Sequence, residues 1–279
     1  MILQFPVRLA HINPLRPLFR KIPTQFHQFH RRNLSIPSRD ITMKIAITGA
    51  RGTVGRAVVK IASEAGHSTV QEATVKAFKG CDAVIHLAAI PDPVDKDDHL
   101  VHNNNVNSAF NGFLAAGELG IKRFCYASPV NAIGLEYATK PLEFEYFPEE
   151  SETQVKTFVR WFPGMKIACM RIHAVASRAE AQQGHKENWD DSAVKSLWGW
   201  VSPEETARAC LLAVEKSDSF QGCEIFNVVA PTTTQDTPSH DLAKKYYPKT
   251  EIRGDFSDNK SFFAAEKARK ILGWVHKEE

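Results

Sequence analysis

The chain is poor in the features that define several protein classes. No apolar run approaches the roughly 18 residues needed to cross a bilayer, so a soluble protein is expected. Cysteine is scarce: Cys81, Cys125, Cys169, Cys210 and Cys223 are five in 279 residues, odd in number and widely spaced. Most lie in apolar runs such as Lys166 to Ile172, which excludes a disulfide framework and predicts reduced core thiols in a cytosol-like compartment. Metal-ligand clusters are also wanting. His99 and His102, near Asp95, Asp97 and Asp98, come nearest, and an ordinary polar loop accounts for them; no metal is expected. Acidic residues are almost missing from positions 1–42, where Asp40 alone opposes Arg8, Arg16, Arg20, Lys21, Arg31, Arg32 and Arg39. That segment carries +6 of an overall +3, leaving −3 for the remainder. A mildly acidic folded part offers no basic face to nucleic acid, and none is expected as a partner.

The composition of residues 1–42 resembles a mitochondrial transit peptide. Pro6, Pro14, Pro17 and Pro23 interrupt any amphipathic helix, however. A disordered tail, or translation beginning at Met43, fits equally well. A cytoplasmic location is expected, with the mitochondrial matrix as the alternative that a functional leader would imply.

After Met43 the pattern alternates between strand and helix. Lys44–Thr48 reads as a short apolar strand and Val54–Ala65 as a helix closed by Gly66. Asp82–Ala88, Arg123–Ser128 and Lys166–His173 read as further strands, with a long helix over Val101–Leu119. Such alternation implies an α/β fold with a parallel sheet. Between the first strand and first helix lie Gly49, Gly52 and Gly55, three glycines at i, i+3 and i+6. At a strand-to-helix junction this spacing suits a dinucleotide pyrophosphate. One glycine makes the turn, one admits the phosphates and one lets helix and strand close up, while the helix N-terminus supplies free N–H groups.

That turn is followed by Asp82-Ala83-Val84-Ile85-His86-Leu87-Ala88-Ala89, then Asn105 and Asn111, then Tyr126-Ala127-Ser128. Together these residues resemble the NAD-dependent epimerase/dehydratase family, the extended short-chain dehydrogenase/reductases. The resemblance covers most of Met43 to Trp274 and includes the tail Lys267 to Trp274, similar to the family's Lys-x-x-x-x-Leu-Gly-Trp ending. It implies a Rossmann-type doubly wound parallel sheet over 43–175. Residues 176–279 would complete the sheet and form the substrate side. It also implies that Gly49, Arg51, Gly52, Thr53, Val54 and Gly55 hold the pyrophosphate of NAD or NADP, with NAD slightly favoured. Leu87, Ala88 and Ala89 would line the adenosine and ribose side. Asn105 would brace the active-site helix, and Ser128 would contact a sugar-type substrate. His86 is expected to be a core histidine satisfied by a backbone partner. A homodimer is one expected assembly.

Departures from the family pattern bear on activity. Only eleven residues, Gln71 to Cys81, separate Val70 from Asp82. This is room for one short helix, expected over Glu72–Lys79, but not for another strand as well, so the sheet is read as having lost one. Glu72 stands near the place of the ribose-binding carboxylate, or is an ordinary helix acid. The family moves its proton with a Tyr whose Lys partner lies four residues on. Here, four residues beyond Tyr126, Tyr137, Tyr146, Tyr246 and Tyr247, stand Val130, Pro141, Glu150, Thr250 and Glu251. The pair is absent. Tyr137 with Lys140 comes nearest, in a stretch bounded by Gly134 and Pro141 that reads as loop. About 20 residues are missing before the helix at Glu152 to Trp161, judged against the family pattern and normal helix length. Pro129 occupies a family Ser or Thr position. The expected function is therefore a dinucleotide-binding protein whose ancestral chemistry is hydride transfer on a sugar or nucleotide sugar; the alternative is an inert relative or truncated isoform. Towards the C-terminus, Ser202-Pro203-Glu204-Glu205 predicts a helix start with a capping box. Trp198-Gly199-Trp200 reads as core rather than as a sugar platform.

Overall fold

A computed structural model describes residues 42–70, 75–91, 96–129, 153–187, 192–252 and 256–277. The basic extension, Glu72, Asp95, Tyr137, Lys140, Pro141, Tyr146 and Glu152 lie outside the described residues.

Val, Ile, Ala, Phe and Cys dominate five short runs whose inner residues are mostly buried on both faces, the signature of strands covered on either side. These are β1 (Lys44–Thr48), β3 (Ala83–His86), β4 (Arg123–Pro129), β5 (Lys166–Ile172) and β8 (Cys223–Val228). With β2 (Ser68–Val70) they form a six-stranded sheet in the order β2-β1-β3-β4-β5-β8. Every pairing in it is parallel. Successive residues along a strand point to opposite faces, and the two cores divide accordingly. Ile45, Ile47, Ala83, Ile85, Cys125, Ala168, Met170, Phe226 and Val228 pack on one side. They meet α1 (Thr53–Glu64), α6 (Pro203–Glu215) and α8 (Glu266–Leu272). Ala46, Val84, Phe124, Ile167, Cys169 and Ile225 face α2 (Asp98–Glu118) and α3 (Thr153–Trp161). The sheet is thus doubly wound, as the alternation implied.

Among the described residues the order stops at β2. The usual dinucleotide-binding sheet places a third strand outside the second. Here three-residue β2 pairs with Lys44 to Ala46 on one side, and among the described residues nothing pairs with its other edge. Where a helix over Glu72–Lys79 is expected, the described residues of the crossover back to β3 form a 3₁₀ turn at Val75–Phe78 instead of α-helix. It is anchored by Phe78, which is buried against α2.

Helix ends follow their local chemistry. Gly66, at φ +83°, ends α1. His67 N–H then donates to the Ala62 carbonyl and Gly66 N–H to that of Ser63, satisfying two carbonyls the helix leaves open. At α6 the Ser202 hydroxyl accepts from Glu205 N–H at 3.2 Å. The reciprocal arm of the expected capping box gives way to a pair between the Glu205 carboxylate and Arg208. The Glu205 carbonyl accepts from the Trp274 indole at 3.0 Å. Trp274 is fully buried, so the terminal Leu272-Gly273-Trp274 turn fastens α8 to α6. Trp198 and Trp200 are buried as core residues, the Trp200 indole donating to the Thr232 carbonyl at 3.1 Å. The smaller sheet pairs β6 (Ala174–Val175) with β7 (Trp200–Val201).

Because Ser202 supplies the one side-chain cap of α6, Ser202→Ala is expected to lower unfolding free energy by about 1 kcal/mol. Urea denaturation followed by circular dichroism measures the loss.

Candidate functional site

Parallel sheets place their ligand sites at the carboxyl ends of the strands, and the glycine turn, Leu87 to Ile90 and Ser128 all lie there. At the end of β1, Gly49 turns with φ +69°. A Cβ at this position would sit 2.8 Å from the Leu87 carbonyl carbon and 2.9 Å from the Ala88 nitrogen. Gly49 therefore needs both freedoms of glycine, its left-handed backbone and its missing side chain. A Cβ on Gly55 would overlap the Gly49 carbonyl oxygen and the Ala50 backbone, so the third glycine lets α1 close against the turn. Gly52 is the N-cap of α1; it provides no side-chain cap, and no acidic residue occupies the first turn. The leading N–H groups of that helix and its positive dipole end are thus not neutralised locally. Arg51, Gly52 and Thr53 are exposed beside them.

The loop facing this turn is held by a polar set that sequence reasoning missed. The Thr48 hydroxyl accepts from Leu87 N–H and Ala88 N–H, each at 3.2 Å, and lies 3.0 Å from His86 Nδ1. Its two lone pairs are engaged by those amides, so we assign its hydrogen to Nδ1. Nε2 then carries the imidazole proton and faces the Ser108 hydroxyl at 3.4 Å, which in turn reaches the Ala88 carbonyl at 3.4 Å. His86 is a core histidine, but hydroxyls rather than the expected backbone group satisfy it. Burial pushes its pKa down to about 4. The available signal was Thr48, a hydroxyl closing an apolar strand directly before the glycines.

Asn105 works on the same loop. Its side-chain amide donates to the Ile90 carbonyl at 3.0 Å and accepts from Ile90 N–H at 2.8 Å, tying the loop to α2. Leu87, Ala88 and Ala89 are consequently fixed opposite the glycine turn.

Ser128 is buried at the end of β4, in register with Arg171 of β5. Two residues beyond Arg171 stands His173, which sequence reasoning took only as the end of a strand. It is 3% exposed, and burial lowers its pKa to about 3. The described tyrosines have structural surroundings. Tyr126 stacks beside His86 with ring centroids 6.1 Å apart, Tyr246 packs against Trp198, and the Tyr247 hydroxyl donates to the Val194 carbonyl at 2.5 Å. No group of three or more metal-binding side chains occurs among the described residues.

No protein-family model matches the sequence. A 103-residue stretch is 33% identical to the L-arabinose 1-dehydrogenase (NAD(P)(+)) of Haloferax volcanii, covering 30% of this chain and 40% of that protein. The match thus spans less than half of the relative's length. Among solved structures, the chain is similar to the UDP-N-acetylglucosamine 4-epimerase of Bacillus cereus, with TM-score 0.58 and 17% identity over 85% of this chain and 94% of the other. A short-chain dehydrogenase/reductase superfamily protein of Agrobacterium tumefaciens, solved with bound NAD, gives 0.58 and 18% over 84% and 92%. The UDP-glucose 4-epimerase of Brucella ovis, in complex with NAD, gives 0.58 and 14% over 84% and 93%. The chain has the Rossmann-type fold of these epimerases and dehydrogenases.

Two outcomes test the site's construction. Thr48→Val leaves Ala88 N–H and His86 Nδ1 without their hydroxyl partner, while Leu87 N–H keeps the Thr48 carbonyl, and is expected to cost about 1–3 kcal/mol of stability, read by urea denaturation. His86 and His173 stay neutral when folded, with lowered pKa values, but charge near pH 6.5 when unfolded. Their contribution is complete above about pH 6.5 and is lost as pH falls toward 4, by about 1.4 kcal/mol per pH unit for each histidine. Urea midpoints measured between pH 7 and pH 4.5 should fall accordingly; a flat profile would contradict the buried neutral pair.

Proposed function

We propose that this chain is a dinucleotide-binding member of the NAD-dependent epimerase/dehydratase family, taking NAD or NADP with NAD slightly favoured. The observation that carries the reading is the cradle formed by Gly49, Gly52 and Gly55 beneath an uncapped helix N-terminus. A dianionic pyrophosphate fits it, since the amides point at the ligand and no side chain or acidic group competes. Thr53 and Val54 would offer the N–H groups, Arg51 a nearby cation, and Leu87, Ala88 and Ala89 the apolar wall for adenosine and ribose. Asn105 would keep that wall in place. When bound, the nicotinamide accepts or donates a hydride; the chain's own part is to position it at the carboxyl ends of β4 and β5, with Ser128 as the hydroxyl offered to a sugar-type substrate.

A second reading, a protein that binds the dinucleotide without turning over a sugar, is favoured by one specific observation. None of the five tyrosines has a lysine four residues on, so the group that would lower a phenol's pKa and shuttle the proton is missing. General acid–base catalysis typically contributes about 10²- to 10⁴-fold. Turnover with a sugar, if present, is expected to be slower than in a family member with the pair by that order.

The assembly that fits best is a homodimer. Val106 and Phe110 of α2 and Trp161 of α3 are large apolar residues left exposed on adjoining helices, with Phe110 packed on Phe158 and Phe158 on Trp161. No helix among the described residues is long and apolar enough to cross a membrane. Five free cysteines fit a reducing compartment such as the cytoplasm, with the mitochondrial matrix as the alternative.

Titration of the purified chain with NADH and NADPH, by fluorescence or calorimetry, tests the central claim. Saturable binding is expected, weakened at least tenfold in Gly52→Asp, which sets a carboxylate at the helix start. Absence of saturation by either nucleotide would overturn it. Light scattering is expected to report a dimer that Phe110→Glu converts to monomer.

A further inference from the structure

His173 is an anomaly in this core. A neutral imidazole has one N–H donor and one lone-pair acceptor. In His173 both ring nitrogens are enclosed, and among the described residues neither has a hydrogen-bond partner. His86, as deeply buried and two strands away in the sheet, has both nitrogens engaged. Buried polar groups that lack partners are uncommon and call for an explanation.

What encloses the ring is itself unusual. Phe263 lies edge-on with its centroid 4.1 Å from that of the imidazole. On another side is Gly199, where a Cβ would stand 2.5 Å from Nδ1, so only glycine leaves space for the ring. The two residues leading into Gly199 are Leu197 and Trp198, both at φ 52°. Bulky side chains seldom adopt this left-handed region, and two in succession store strain. The closed arrangement therefore combines a strained turn with an unsatisfied polar group, at a strand end where this fold binds ligands. Moving the turn and Phe263 away would relax the backbone and open both nitrogens.

We propose that His173 is the hydroxyl-binding residue of a latent sugar subsite, exposed when the 197–199 turn and Phe263 move off its ring. A hydroxyl group both donates and accepts, which matches an imidazole offering one N–H and one lone pair; a carboxylate uses only the former and an ammonium only the latter. Trp198 and Phe263, freed by the same movement, supply apolar faces for the C–H surface of a sugar ring. The proposal names a contact for the substrate class given above and rests on that reading for its link to the dinucleotide.

The test uses diethyl pyrocarbonate labelling of the full chain, read by peptide mass spectrometry. His173 is expected to be labelled at least ten times faster than His86; an equal or slower rate would overturn the opening. With NADH present, saturating L-arabinose or D-galactose is expected to slow labelling of His173 at least fivefold and leave that of His86 unchanged. Protection by neither sugar overturns the subsite. His173→Leu, which keeps the volume without the nitrogens, is expected to retain NADH affinity within twofold while its sugar affinity drops at least tenfold. Retained sugar affinity in this variant overturns the assignment. NADH titration is read separately, so failure of the dinucleotide reading is distinguished from failure at His173.

Discussion

The structure depends on a close approach between two backbones, that of Gly49 at the end of β1 and that of Leu87 and Ala88 after β3. At 2.8–2.9 Å from where a Cβ would be, no side chain fits between them. The same two segments are held from beneath by one hydroxyl, that of Thr48, which binds both amides and His86. Through Ser108 and Asn105 this arrangement is passed to α2. The turn that would carry phosphate, the wall beside it and the helix behind it are therefore one hydrogen-bonded body. A buried polar network of this kind is favourable only while it is complete, because each unpaired member would carry the full cost of its desolvation.

The legible parts of the sequence are those where local chemistry suffices. Three glycines at a strand-to-helix junction can be read because backbone freedom and the missing Cβ are properties of the residue itself. Runs such as Ala83 to Ile85 can be read because a strand covered on both faces is apolar along its buried length. Ser202 at a helix start is of the same kind. Less legible were the features in which one segment answers another far along the chain. His86 could be placed in the core, but that its partners are Thr48 and Ser108 depends on the register of β1 with β3 and on where α2 lands. Glu205 sat in the correct box pattern, yet Arg208 one turn on offered its carboxylate a stronger, charged partner than a backbone amide. The 3₁₀ turn at Val75–Phe78 stands where a helix was expected, and its one buried anchor, Phe78, packs on α2, a partner that local periodicity does not show.

The edge of the sheet has a consequence for the site. Among the described residues no further strand lies outside β2, and the edge beside β1 is three residues long. The half of the sheet built from β3, β4, β5 and β8 is complete in pairing and register, and it carries Ser128 and His173. The half that would hold a dinucleotide consists, among the described residues, of β1, β2, the glycine turn and α1. Among the described residues, the contacts available to a dinucleotide are those of the pyrophosphate cradle and of the Leu87 to Ala89 wall.

The two buried histidines show how burial alone does not define a role. Both lie at carboxyl ends of strands of one sheet, β3 and β5, and desolvation holds both neutral. His86 has two hydroxyl partners, so its neutrality is useful: the unprotonated nitrogen accepts from Thr48 and the protonated one donates toward Ser108. His173 has the same capacity and no use for it in the closed form. A stable core would favour an apolar residue of similar size there, because replacing an unsatisfied polar group by a hydrophobic one removes a desolvation cost without losing any bond. That an imidazole stands there, against a glycine that makes room for it and a turn strained to cover it, is accounted for when the closed form is one of two.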